Sequence, residues 1–401
     1  MTRMCDLPGD LVEEIFSRVP LKSLSVARYT CKAWNDLSRN QIIEKTRKQH
    51  LGFMVMDSRI YSMKFDIQGL RSNDGKEDSV IGPCIKRANI LNQVEVFNVF
   101  HWDGLLFCVI KDNRWRVVWN PYLEQTRWIQ PIHKYHKFHR SDMFAFGYND
   151  NDNNNNRNHK ILRFLDPLVR PDLDLFFELY DFNSDSWRTL DVNPDCDIKR
   201  GVSLKGNTYF FAQEPKKFKK PSRPSYVEVF LLCFDFTAER FVPGRLPLPF
   251  HSCMCGLEDV TLSCVREEHL AVLKQRSNSG MEIWMTTKIE PNVITWNHFL
   301  RVERDTLPER GHFWSFFIDV EKKVAMVFNS IGSQWLERYA AYIVGEEEYL
   351  ISVKFGELPP DSCILLKKYK GCYPLLFCSY VPSLVQLRRI NQRGKRKERD
   401  Y

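Results

Sequence analysis

Residues 7–15 have the sequence LPGDLVEEI, which is the pattern expected where a helix begins. Asp10 and Glu13 stand three residues apart, the spacing of a capping box, in which side chains accept hydrogen bonds from free backbone N–H groups of the first turn. Pro8 lies just upstream, where a missing N–H has little effect. The stretch therefore predicts a helix whose first turn is capped by the Asp10 and Glu13 pair.

The apolar side chains of this helix are expected on one face. Leu11, Ile15 and Val19 recur at intervals of four residues, and this spacing places all three in a line along a helix. Pro20 then predicts the end of the helix, because proline lacks the N–H that the next turn needs. The prediction is a short helix with one apolar stripe.

Two more short helices are expected before residue 41. Ser23 can cap the second, and the third follows Thr30. A unit of about forty residues is near the lower limit for an independent core, so it needs a partner helix or packs as a cap on the rest of the chain. The apolar positions of the two helices are Leu24, Ala27, Cys31, Trp34 and Leu37.

This stretch resembles the F-box, especially in its plant version, over residues 5–40. The resemblance is carried by Leu7-Pro8, Leu11, Glu14-Ile15, Arg18-Val19-Pro20, Ser23-Leu24, Arg28, Cys31-Lys32 and Trp34. It implies a three-helix domain over residues 1–45 that binds a Skp-type adaptor and, through it, cullin, within a Skp–cullin–F-box ubiquitin ligase. The residues that the resemblance assigns to adaptor-facing and internal apolar surface are Leu7, Pro8, Leu11, Ile15, Val19, Pro20, Leu24, Cys31 and Trp34.

The composition predicts a folded protein of a reducing intracellular compartment, in the nucleus, the cytoplasm or both. Hydrophobic residues make up 43% of the chain, which supports a real core and excludes global disorder. No apolar run reaches the length of a membrane span, and acidic residues stand where a signal peptide would be apolar. The twelve cysteines are scattered without paired spacing, so we expect free thiols.

The net charge of +8 comes from two short tracts. Residues 215–224 and residues 388–400 each carry +5, which leaves the remainder at −2. The folded part is therefore near neutral, and no specific nucleic-acid surface is expected. The tail over residues 388–401 is expected to be disordered, and it is open whether it is a nuclear-import signal or a solvated terminus.

From residue 51 the sequence has the pattern of a β-rich repeat. Six aromatic residues lead hairpins at intervals of 50 to 61 residues, five of them are followed by a second aromatic after the turn, and another strand pair lies between successive members. Four strands per unit is the composition of a propeller blade, and the period is close to that of kelch repeats. The leading aromatics are Phe65, Trp119, Tyr180, Phe234, Trp284 and Tyr342; the second aromatics are Trp128, Trp187, Phe241, Trp296 and Tyr349.

The predicted fold is accordingly α+β and multidomain. A small N-terminal three-helix F-box precedes a mainly β, six-bladed, propeller-like (kelch-like) domain over residues 51–387. Strands near 375–387 are expected to close the ring against the first strands near 53–65. The alternative left open is an irregular pair of β-sandwiches in which the aromatic spacing is coincidental.

The same segments resemble the plant F-box-associated interaction domain, from about residue 95 to 387. This resemblance implies a propeller-like domain that captures target proteins. The chain has no kelch double glycine, so it is not a true kelch protein. The motifs that carry the resemblance are Gly104-Leu105-Leu106, Trp119-Asn120-Pro121, Tyr180-Asp181-Phe182, Glu282-Ile283-Trp284 and Ser379-Tyr380-Val381-Pro382.

No catalytic residue, metal site or cofactor is predicted. Four combinations each lack part of the pattern that their chemistry needs: His133, His136 and His139; Cys253 and Cys255; the glycine-containing residues 69–76; and the Asp150 tract. Two other functions stay open: a β-propeller enzyme or ligand-binding protein with a helical cap, and an F-box scaffold without a degradation role. The target protein is unknown, and the connections 131–142, 214–225 and 303–312 are candidates for binding it.

Overall fold

A computed structural model describes residues 7–19, Ser23, Trp34 and most of the chain from residue 50 to residue 387. The described ranges after residue 50 are 50–56, 58–65, 84–88, 91, 94–111, 115–131, 142–149, 157–165, 176–214, 228–250, 260–276, 280–303, 312–333, 336–345, 350–357 and 380–387.

One helix, α1, spans Gly9–Arg18. Its N-cap is Pro8 and no side chain caps its first turn, so the predicted capping box of Asp10 and Glu13 is wrong. Because the helix begins before Asp10, that carboxylate lies within the first turn, where it interacts favourably with the helix dipole instead. The helix ends as predicted: Val19 is extended, with φ −74° and ψ 132°, as expected for a residue that precedes proline.

The second and third predicted helices lie almost wholly outside the described residues. Ser23 and Trp34, one from each, are helical. The described part of the chain therefore contains one of the three helices that the sequence predicts.

In the described part of the chain, twenty-three strands form six antiparallel sheets. The first sheet contains β1 (His50–Met56), β2 (Arg59–Phe65) and β3 (Cys84–Arg87). The second contains β4 (Val96–Trp102), β5 (Leu105–Ile110), β6 (Arg116–Asn120) and β7 (Gln125–Ile129). The third contains β8 (Asp142–Asn149), β9 (Asn158–Leu165), β10 (Phe177–Asp181) and β11 (Ser186–Leu190).

The last three sheets continue in chain order. The fourth contains β12 (Asp197–Leu204), β13 (Asn207–Gln213), β14 (Val229–Asp235) and β15 (Arg240–Phe241). The fifth contains β16 (Val260–Val265), β17 (His269–Arg276), β18 (Gly280–Glu290) and β19 (Val293–Val302). The sixth contains β20 (His312–Asp319), β21 (Val324–Ser333), β22 (Leu336–Gly345) and β23 (Leu350–Glu357).

The six sheets are the blades of a β-propeller. Strands that follow one another in sequence are neighbours within each sheet, and the first strand of each sheet contacts the first strand of the next, from β1 through β4, β8, β12 and β16 to β20. The first strands therefore line the axis. This arrangement confirms the six-bladed propeller and excludes the pair of sandwiches. The first sheet is described with three strands rather than four.

The predicted aromatic repeat corresponds to one position in the blades. Five of the six leading aromatics lie in the third strand of a four-stranded sheet, and four of the second aromatics lie in the fourth strand beside it. Phe65 is the exception, because it ends the second strand of the first sheet. The predicted second aromatic Tyr349 and the predicted last strand pair, 363–379, fall outside the described residues.

Each blade has two different ends. The connections between its first and second strands and between its third and fourth strands lie at one end, which we call the turn end. The connections between its second and third strands, and the links to the next blade, lie at the other, which we call the link end. The turn-end connections are mostly two to four residues long, whereas most link-end connections are longer.

Aromatic-rich cores fill the spaces between successive blades. Trp102 stacks on Phe146, with ring centroids 4.0 Å apart, between the second and third blades. Phe164 meets Phe210 edge-on at 5.6 Å between the third and fourth. Side chains of neighbouring blades share each core, from the first and second blades to the fifth and sixth, so adjacent blades depend on each other for buried surface.

A buried ion-pair network also joins the second blade to the third. Arg163 donates to Asp142 at 2.8 Å and pairs with Glu178, while Arg116 lies 3.5 Å from the other oxygen of Asp142. All four side chains are almost completely shielded from solvent. Two positive and two negative charges balance, which is the condition under which buried charges are tolerated.

Candidate functional site: an apolar stripe on α1

The outer face of α1 exposes two large apolar side chains. Leu11 is 53% exposed and Ile15 is 39% exposed, and their spacing places them side by side on one face. Among the described residues only Trp128 and Val293 are comparable large apolar side chains with such exposure. Two of four such residues thus lie on one ten-residue helix, which marks this face as a candidate binding surface.

The inner face of α1 is fully packed. Val12 and Phe16 are 2% and 1% exposed, and the Phe16 ring meets Trp34 edge-on with centroids 5.1 Å apart. Trp34 is also buried. Since the inner face already has its partners, the exposed stripe is available for a different molecule.

The predicted site residues divide into three groups. Leu11, Ile15 and Pro8 are exposed, whereas Leu7 and Val19 are half-buried against the Val12, Phe16 and Trp34 cluster. Trp34 belongs to the interior. The remaining predicted site residues, which lie outside the described part of the chain, are Pro20, Leu24 and Cys31.

The sequence prediction missed the inner face. Val12 and Phe16 are four residues apart, the same interval as Leu11 and Ile15, so the helix carries two adjacent apolar stripes. The signal was present in the sequence. The sequence alone does not show which of the two stripes packs inward.

Charged side chains border the exposed stripe. Asp10, Glu13 and Glu14 are exposed on α1, and Arg18 forms an ion pair with Glu14 one turn earlier. An apolar centre with a charged border is the usual composition of a protein–protein interface. The stripe is thus better suited to a protein partner than to a small molecule.

Ionisable side chains lie close together at the turn end of the blades. Asp103 accepts a hydrogen bond from Arg157 at 3.2 Å and pairs with His159 Nε2 at 3.0 Å. Glu267, from the turn between β16 and β17, has its Oε1 shielded from solvent and finds no hydrogen-bond partner among the residues that the structure describes. Within the described ranges, no group of three or more His, Cys, Asp or Glu side chains is placed to hold a metal ion.

Glu267 makes stability depend on pH in a defined direction. Burial, together with the nearby Asp103 carboxylate, raises the pKa of Glu267 to about 8, against the opposing effect of Arg157. An unfolded chain releases this proton near pH ~4.3. The folded state thus holds the proton more tightly, and this group lowers the free energy of unfolding as pH rises from about 4.3 to about 8.

We expect Glu267→Gln to remove this contribution. The free energy of unfolding of the variant, relative to wild type, should increase as pH rises from 5 to 8 in denaturant titrations, because glutamine stays neutral. Glu268→Gln is the matched control, since Glu268 is the exposed neighbour and should give a curve parallel to wild type. A parallel curve for Glu267→Gln would contradict the assignment.

The other sequence candidates for chemistry lie outside the described residues. They are His133, His136 and His139, Cys253 and Cys255, residues 69–76, and the Asn/Asp tract from Asp150. On either side of the Asn/Asp tract, β8 pairs with β9 up to Asn149 opposite Asn158. None of the helices described is long and apolar enough to cross a membrane.

Comparison with known proteins decides the family. The F-box domain matches residues 4–46, and the F-box associated beta propeller domain matches residues 51–387. The chain belongs to the F-box proteins that carry this propeller. In this F-box protein the F-box is N-terminal and the propeller follows it, and an F-box implies, in general terms, a Skp-type adaptor as partner.

Similar F-box proteins extend over the whole chain. An F-box protein of Arabidopsis thaliana is 54% identical over 96% of this chain and all of its own length. An F-box/kelch-repeat protein of the same plant is 49% identical over 99% of this chain and all of its own length. A luciferin-regenerating enzyme of known structure is 10% identical and matches 66% of this chain and 78% of its own, with a TM-score of 0.37, which is too low to support an inference.

Proposed function

We propose that this F-box protein is the substrate-recognition subunit of a Skp–cullin–F-box ubiquitin ligase. The observation that supports it is the exposed Leu11 and Ile15 stripe on an F-box helix whose other face is packed. In this proposal the stripe docks a Skp-type adaptor, which links the chain to cullin. The propeller binds a target protein.

The proposed mechanism is proximity rather than bond-making by this chain. A receptor that holds a target beside the ubiquitin-transferring enzyme raises the effective concentration of the target's lysines. The chain itself is proposed to carry out no covalent step and to need no cofactor. We propose that it acts in the nucleus, the cytoplasm or both, where its partners would be present.

The strand topology supports a target surface at the link end of the propeller. The connections 131–142, 214–225 and 303–312 join strands at that end. The α1 cluster instead contacts Tyr122, which lies in the turn between β6 and β7 at the opposite end. A target at the link end would therefore be held away from the adaptor, leaving both surfaces free to be occupied together.

Co-purification tests the proposal. The full chain is mixed with a Skp-type adaptor and cullin, and complex formation is followed by size-exclusion chromatography. We expect one co-eluting complex that supports ubiquitin transfer to proteins captured by the propeller. A well-folded chain that binds no adaptor would overturn the proposal, and adaptor binding without any ubiquitin transfer would reduce the chain to a scaffold.

A further inference from the structure

Residues 380–387, which we call the closing segment, lie across the turn end of the second blade and are hydrogen-bonded to it. Asn120 donates two hydrogen bonds to the segment, to the carbonyl oxygens of Ser383 and Val385, both at 2.9 Å. Gln125 adds two more: it donates to the Gln386 side chain at 2.7 Å and accepts from the Leu387 N–H at 2.9 Å. The segment forms no strand of its own, so these contacts hold it.

Each end of the closing segment enters a different core. Tyr380 packs edge-on against Phe53 at 5.0 Å, between the first and second blades. The predicted contact with the first strands is present at this residue, but the predicted strand is wrong for residues 380–387, which belong to no sheet. Leu387 is 2% exposed and belongs to the core between the second and third blades. The segment therefore crosses the whole second blade and contributes to the cores on both sides.

Gly104 shows how closely the segment lies against the blade. It has φ +65°, and a Cβ built on it would come within 2.2 Å of the Val381 carbonyl oxygen and 2.6 Å of the Ser383 N. Both contacts are to backbone, which cannot move aside as a side chain can. The blade and the segment are thus packed backbone to backbone, and the surface that the segment presents has a fixed position.

The middle of the closing segment faces the F-box. Leu384 is half-buried and packs, together with Tyr122 of the neighbouring turn, against the cluster formed by Val12, Phe16 and Trp34. This contact uses the inner side of α1. It leaves the adjacent Leu11 and Ile15 stripe exposed.

We propose that the closing segment is the surface on which the F-box packs. In this proposal Leu384 and Tyr122 are positioning residues, and their contact with the F-box fixes the orientation of the propeller relative to the adaptor. This inference rests on the proposed function for its significance, because orientation matters only if the propeller presents a target. The contacts between the F-box and the closing segment do not depend on the proposed function. The same eight residues contribute to the cores on both sides of the second blade and contact the F-box cluster, so loosening the segment should weaken both.

Distance measurement tests this proposal on the full chain. Spin labels are introduced as unnatural amino acids at Ser17, which is exposed on the side of α1 away from the stripe, and at Ala238, which is exposed in the turn between β14 and β15. Pulsed electron resonance then gives the distance distribution between them, with and without adaptor. We expect one narrow peak for wild type.

Leu384→Asp and Tyr122→Asp should each replace that peak by a broad distribution, because each places a charge in the apolar contact. Val293→Asp is the matched control, since Val293 is a 40% exposed apolar residue of the fifth blade, and it should keep the narrow peak. Adaptor affinity should stay unchanged in all three variants, because the stripe is intact. This combination separates positioning from a merely structural role.

An unchanged narrow peak in both variants overturns the proposal. If Leu384→Asp prevents folding, Tyr122→Asp decides the matter, because Tyr122 lies outside the closing segment. A chain that binds no adaptor would contradict the proposed function but would leave the distances measurable in the free protein. The two failures are therefore distinguishable.

Discussion

Ile15→Asp and Leu11→Asp are each expected to abolish binding of a Skp-type adaptor to the full chain. Both side chains are exposed on α1, and both would be covered by an adaptor docked on the stripe. Burying a carboxylate in an apolar interface without a partner costs roughly 3 kcal/mol or more. A loss of this size weakens binding about a hundredfold or more, which a titration calorimeter or a pull-down detects easily.

The controls for this prediction come from the same protein. Val293 is 40% exposed, almost the same as Ile15 at 39%, but it lies on the fifth blade, so Val293→Asp should bind the adaptor like wild type. Ile15→Ala should be intermediate, with a loss of about 1–2 kcal/mol from reduced apolar burial. Equal binding by Ile15→Asp and wild type, with the helical signal intact, would mean that the stripe is not the docking face.

The propeller could be predicted because one turn recurs at similar intervals along the chain. Asn120, Asp181 and Asp235 each follow a leading aromatic, and each side chain accepts hydrogen bonds from the backbone N–H groups two and three residues later. Four residues after each of them comes a residue with positive φ. The repeated turn fixes the hairpin between the third and fourth strands, so the aromatic spacing is also the blade spacing.

The F-box helix was predicted less well, for two physical reasons. The capping box failed because the helix begins at Gly9, which puts Asp10 inside the helix instead of before it. The division of the apolar residues failed because two stripes one residue apart are equivalent in sequence until a neighbour covers one of them. That neighbour includes Tyr122 and Leu384, which lie more than one hundred and more than three hundred residues away.

The motifs around residues 104, 120 and 380 all take part in the contact between the second blade and the closing segment. Gly104 makes room for its backbone, and Asn120 donates to two of its carbonyl groups. In sequence these motifs are separate, and only the folded propeller brings them together. A pattern read along the chain shows each motif but not the contact that they share.

Asn120→Asp is expected to detach the closing segment and to lower the free energy of unfolding by roughly 3–5 kcal/mol. Asn120 is fully buried and uses all its hydrogen-bonding capacity: its oxygen accepts from Tyr122 N and Leu123 N, and its nitrogen donates to the segment. An aspartate keeps the accepting oxygen and the shape. It loses both donors and places a second oxygen against two carbonyl groups.

The fourth blade supplies the matched control. Asp235 occupies the equivalent turn position and accepts from Thr237 N at 2.8 Å and Ala238 N at 3.1 Å. Asp235→Asn keeps that acceptor, so we expect a change within about 0.5 kcal/mol in the same denaturant titration. Equal effects of the two reciprocal substitutions would show that the turn alone, and not the segment, requires asparagine at position 120.

The loss caused by Asn120→Asp should also depend on pH. Burial and the facing carbonyl oxygens raise the pKa of the new carboxyl group above its value in the unfolded chain, and the protonated form regains one donor. The folded variant therefore binds the proton more tightly, and its stability relative to wild type should fall as pH rises from 5 to 7. A difference from wild type that is constant across this range would mean that the carboxylate is not held against the closing segment, and that the segment leaves the blade as soon as its donors are lost.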